Sequence, residues 1–151
     1  MSFKINGFDD EFIRISAIGD GSCMFHSILQ SFNKTYIESS QKEKRLICRT
    51  FRDDLSNILD ENIDGSICYS QLSRGELEEI SKSIPEASLQ NMKNSLKSNE
   101  WGDFRFLELV SNVLNLNIFI ISNDTKNLYI TGDPELFLKD RDSIIILNSS
   151  N

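Results

Sequence analysis

Histidine is nearly missing from this chain: 151 residues carry one, His26, alongside three cysteines, two prolines and one tryptophan. A lone imidazole with no Cys-x-x-Cys pair excludes an ordinary zinc centre, whose ligands are Cys and His at close spacing, so no metal and no other cofactor are expected. An odd number of cysteines without an export signal excludes a disulfide framework and leaves free thiols in a reducing compartment. Positive charge is also short. Sixteen Lys and Arg against 23 Asp and Glu give a net charge of −7, which argues against nucleic acid and suits a basic partner or peptide better. No apolar run reaches the roughly 20 residues that span a bilayer, and the first dozen residues lack the apolar core of a signal peptide. No membrane partner is expected, and the expected location is the cytoplasm, a host cytoplasm included.

What remains is the composition of a globular protein, with 39% hydrophobic and 26% charged residues and no repeat, linker or low-complexity tract. One domain over residues 1–151 is expected, long enough to bury an ordinary core. Residues 13–18 alternate with period two and read as a strand. A helix follows from Cys23 to Phe32, with Ser22 or Asp20 available to cap it. A second helix is expected over Ser40–Leu59, where Ile47, Phe51, Leu55 and Ile58 recur at helical spacing. Residues 62–65 read as a turn. The middle, 67–99, reads as irregular helix, with Pro85 at a first helical position and Leu89, Met92 and Leu96 as its stripe. A buried helix over 104–114, a central strand at 118–121 and strands at 128–130 and 143–147 complete the pattern, with a turn at Asp133-Pro134. The fold class is α/β, an α+β sandwich with a small central sheet flanked by helices.

The chemistry concentrates in Gly19-Asp20-Gly21-Ser22-Cys23-Met24-Phe25-His26. A thiol at the mouth of a helix, behind a loop with two glycines, has two readings. It is either a small buried hydrophobe or a nucleophile whose thiolate the helix N-terminus stabilises. Glycines would let backbone amides of the same turn converge on an oxyanion, with Asp20 orienting the loop and opposing thiolate formation rather than serving as base.

The run Asp20-Gly21-Ser22-Cys23-Met24-Phe25 resembles the signature of the ovarian-tumour (OTU) family of cysteine proteases, Asp-Gly-x-Cys with an aromatic two residues on. Trp101-Gly102-Asp103 followed by an apolar helix and the strand 118–121 is similar to a second element of that family. The order of elements agrees from about Ile13 to Leu147. The resemblance implies a papain-like fold and a thiol isopeptidase that removes ubiquitin, or a ubiquitin-like modifier, from lysine. It implies Cys23 as nucleophile, Asp20 as the residue shaping loop and oxyanion site, and the backbone of Gly21, Ser22 and Cys23 as oxyanion donors; Trp101 reads first as packing against the helix it opens, with a place beside the substrate groove as the lesser reading. The expected partner is ubiquitin or a ubiquitin-like protein, whose basic C-terminal tail would suit a carboxylate-lined groove.

The same resemblance implies a catalytic histidine just after the last strand, in a His-aromatic-Asp or His-aromatic-Asn element. None is found, and its expected place lies beyond Asn151. His26, three residues after Cys23 on one helix, has poor geometry for proton transfer and reads as a satisfied or surface histidine. The expectation is therefore an OTU-like deubiquitinase domain that lacks its C-terminal catalytic strand and, without that histidine, is inactive as given. Two alternatives stand beside it: an inactive ubiquitin-binding module of the same fold, and a plain cytosolic α/β domain with a structural Cys23. Cys48 and Cys68 read as packing residues, and Glu76, Glu78 and Glu79 as a solvated helix face.

Overall fold

The computed structural model describes residues 2–60, 62–63, 66–67, 88–100, 106–126, 128–130 and 141–148. A short hairpin, β1 (Ser2–Lys4) and β2 (Glu11–Ile13), precedes three helices, α1 (Cys23–Phe32), α2 (Lys34–Glu38) and α3 (Gln41–Ile58). The short strands β3 (Asn62–Ile63) and β4 (Ser66–Ile67) pair with each other. Helices α4 (Leu89–Lys97) and α5 (Leu107–Leu114) follow, and then the strands β5 (Asn117–Ser122), β6 (Leu128–Ile130) and β7 (Ser143–Asn148).

These three strands form one sheet in the order β6-β5-β7, with β5 antiparallel to β6 and parallel to β7. The Ile118-Phe119-Ile120-Ile121 run therefore takes the central position, as its unbroken apolar character predicts for a strand covered on both faces. Ile118 and Ile121 are fully buried. Asn115, at φ 53°, ends α5 in the left-handed conformation that Asn tolerates best after Gly, and the chain turns directly into β5.

Helix α1 lies on β7 and directs Phe25, Ile28 and Leu29 into the core at i, i+3 and i+4. Helix α3 starts from a capping box: Ser40 Oγ accepts the Glu43 amide, while Glu43 returns a carboxylate to the Ser40 amide at 2.8 Å. Its inner face carries Cys48, Arg52 and Leu55, all about 1% exposed, and α4 packs there through Met92, Ser95 and Leu96. Phe25 is the hub, with ring centroids 6.2 Å from Phe51 and 6.0 Å from Phe106. Truncating such a residue to Ala costs about 3–5 kcal/mol.

The expected helices over 23–32 and 40–59 and the three C-terminal strands are observed to within a residue or so. Other expectations are corrected, first at the N-terminal strand. The strand is Glu11–Ile13, not 13–18, and no ladder involves residues 14–18. Its register sets Ser2 opposite Ile13, the last pair of that ladder. Ile13 and Ile15 are 79% and 67% exposed, so the alternation had no core to face. Strand β1 and helix α2 were not anticipated. Nor were β3 and β4: Asn62 and Ile63, expected in a turn, and Ile67, expected to open the irregular helix, pair instead as short strands. The expected turn positions 64–65 and 133–134, Pro85, Cys68, the three clustered glutamates, and residues 104–105 of the expected buried helix lie outside the described residues.

Candidate active site

Cys23 opens α1 and is half-buried. Asp20 holds the turn before it from within. The carboxylate accepts the Ser22 amide at Oδ1 (2.8 Å), and the Asp20 carbonyl accepts the Cys23 amide (3.1 Å). Ser22 stands at the N-cap position, but its side chain makes no capping bond. Its hydroxyl instead accepts a 2.6 Å bond from Arg52 Nη1, and it also contacts the Cys48 thiol.

The glycines play different parts from those expected. Neither Gly19 nor Gly21 uses a left-handed backbone. Gly21 is needed for space: a Cβ there would stand 1.7 Å from the carbonyl oxygen of Asn99. The turn thus lies flush against residues 95–100, at the C-terminal end of α4.

Opposing effects act on the thiol. Burial pushes the Cys23 pKa up and dominates; amide hydrogen bonds from Met24 and from Cys23 itself pull it down, and the Asp20 charge adds to the rise. The net result is a thiol above its ordinary value. The helix N-terminus acts in the expected sense, but desolvation outweighs it. The amides of Ser22 and Cys23 are both donated to Asp20, so an oxyanion seeking them would have to compete with that residue.

His26 is 1% exposed. Its Nδ1 lies 2.6 Å from the Tyr36 hydroxyl and its Nε2 3.3 Å from Asp20 Oδ2. Desolvation lowers its pKa, with Asp20 as the main opposing influence, and burial lifts Tyr36 to about 12. The tautomer follows from these partners. Asp20 offers acceptors, so Nε2 carries the hydrogen, and the Tyr36 O–H donates to Nδ1. With its lone pair occupied, this imidazole cannot take a proton from Cys23, and the sequence reading of a satisfied histidine holds for a stated reason. Arg45 completes the surround at 3.8 Å from Asp20.

The comparison with known protein families decides the class of this arrangement. A family model described as OTU-like cysteine protease matches residues 18–146. The chain belongs to that family. Among curated proteins, none matches the chain. The matched span opens just before the Asp20–Cys23 turn and closes within β7, so the papain-like α/β fold class stands. Trp101 and its neighbours Gly102 and Asp103 lie outside the described residues. Among those described, no cluster of three or more His, Cys, Asp or Glu is arranged to hold a metal ion, and no helix is long and apolar enough to cross a membrane.

Sequence reasoning singled out Cys23, Asp20, Gly21 and Ser22 and did not single out Arg52, Tyr36 or Asn99. Arg52 offered one signal: a cation at i+4 from the apolar Cys48 and i−3 from Leu55, on the inward stripe of an amphipathic helix.

Proposed function

We propose that this OTU-family chain is a deubiquitinase acting in the cytoplasm on isopeptide bonds between ubiquitin, or a ubiquitin-like modifier, and lysine. Cys23 would be its nucleophile. One observation carries this reading: the family's Asp-Gly-x-Cys signature coincides with a half-exposed thiol at the first turn of α1, on a turn fixed from three sides.

The sulfur attacks the carbonyl of the modifier's C-terminal glycine, and the C–N bond breaks with departure of the lysine amine. The thioester left on Cys23 is then hydrolysed. The Met24 amide hydrogen-bonds the thiol and favours its thiolate, and Asp20 keeps the turn in register. The thiol proton needs a base other than His26, for the reason given above.

A second reading, a non-catalytic ubiquitin-binding module of the same fold, draws support from the raised thiol pKa and from the two amides committed to Asp20. Ubiquitin carrying a C-terminal thiol-reactive group separates the two. An adduct that disappears in Cys23→Ala supports the nucleophile. Binding without an adduct supports the module, and the absence of both adduct and binding leaves Cys23 a structural thiol.

A further inference from the structure

Arg52 is a guanidinium in the core. It is 1% exposed and its bonds go to neutral acceptors. Nε donates to the Leu96 carbonyl at 3.0 Å, and Nη2 to the carbonyls of Ser95 at 2.6 Å and Glu100 at 3.1 Å. Nη1 donates to Ser22 Oγ at 2.6 Å. The Phe25 ring lies under the group, 4.8 Å from its central carbon. Arg49, one turn earlier on α3, gives the same helix end two more bonds, to Leu96 and Ser98 carbonyls.

A C-terminal helix end attracts cations, which explains the Leu96 and Ser95 acceptors, while the Glu100 carbonyl belongs to the chain just past that end. Arg49 already supplies such a cation from a more exposed position. The fourth bond is not a capping bond. It crosses to the residue immediately before Cys23, and Cys48, also facing Ser22, sits one turn before Arg52 on α3. Charged groups are costly to bury without a partner charge, and a fork of planar donors is the side chain that can satisfy acceptors on two separate segments at once.

We propose that Arg52 is a positioning residue for Cys23, acting through Ser22: it locks the turn bearing the thiol onto the end of α4. The lock explains why Ser22 leaves its own helix uncapped, since its hydroxyl is committed to Arg52. It also explains the approach of Gly21 to Asn99, because the two segments are drawn together from beneath. The importance of the lock to catalysis rests on the thiol-protease reading above; its existence does not.

The test uses Ser22→Ala, Arg52→Met and their combination, read by amide hydrogen exchange and by the rate of adduct formation with thiol-reactive ubiquitin. Ser22→Ala is expected to speed exchange over residues 19–25 while leaving 95–100 unchanged; Arg52→Met speeds both. Each single change slows adduct formation about tenfold, the scale of one charge-assisted hydrogen bond, and the double variant is no slower than the worse single. Arg52→Lys, with one donor group for four acceptors, does not rescue. Unchanged exchange over 19–25 in Ser22→Ala, or effects that multiply in the double variant, would reduce Arg52 to a helix cap and overturn the proposal. A wild-type chain that forms no adduct refutes the protease reading instead, and the exchange data still decide the lock.

Discussion

Two glycines in one loop should respond to alanine in opposite directions. At Gly21 the added methyl would lie 1.7 Å from the Asn99 carbonyl oxygen, against 3.4–4 Å for ordinary contact, so backbone must move on one side or the other. Overpacking that shifts backbone costs about 1–3 kcal/mol, and the lower entropy of the unfolded alanine chain returns about 0.4–1 kcal/mol. At mid-range the net loss is roughly 1.3 kcal/mol, which in a domain of this size lowers Tm by about 3–5 °C. At Gly19 nothing lies within 4 Å and the backbone is outside the left-handed region. Only the entropy gain operates there, and Tm rises by about 1–4 °C. Calorimetry on the two variants measures both signs. Gly21→Ala should also slow adduct formation with thiol-reactive ubiquitin, because the displaced turn carries Cys23. A Gly21→Ala protein with unchanged Tm and unchanged labelling would refute the packing of this turn against α4.

Further outcomes follow from the protonation states. Stability should fall as pH drops below the ordinary imidazole value of 6.5: the folded-state pKa of His26 is depressed, so the unfolded chain binds the proton first. His26 is the one histidine in the chain, so His26→Gln should abolish the slope between about pH 6.5 and 5 in a series of thermal melts. Alkylation of Cys23 by iodoacetamide should show a midpoint above the ordinary thiol value of 9.0, and Asp20→Asn should lower it by removing a charge that opposes the thiolate. Under the same conditions Cys48, 1% exposed and pushed up to about 11, should stay unmodified in peptide mass spectra. Tyr36→Phe strips the donor from a buried ring nitrogen and should cost about 1–3 kcal/mol in denaturant melts.

Much of this architecture was written in local pattern. The α3 stripe and its Ser40/Glu43 box, the uniformly apolar 118–121 run and the thiol at the start of α1 each follow from a few neighbouring residues. The alternation at 13–18 misled because period two reports a strand only when one face meets a core, and Ile13 and Ile15 meet solvent. The five-residue α2 escaped because it has too few turns to show a periodicity, yet it supplies Tyr36, which fixes the tautomer of His26.

The state of the site depends on contacts distant in sequence, and that is why it could not be read along the chain. Local reasoning makes the Cys23 thiol more acidic, because it counts the amides at the helix end. It cannot count the desolvation that α1 acquires by packing into the core, which is the larger effect here. The same holds for the turn. Asp20 and Ser22 look like candidate caps for α1, but Asp20 bonds the Ser22 amide and His26, while Ser22 is taken by Arg52 thirty positions away. The motif therefore names the residues at the mouth of the helix, and α3 and α4 set their geometry. A substitution at Arg52, far from Cys23 in sequence, should consequently disturb that thiol more than one at Gly19, four residues before it.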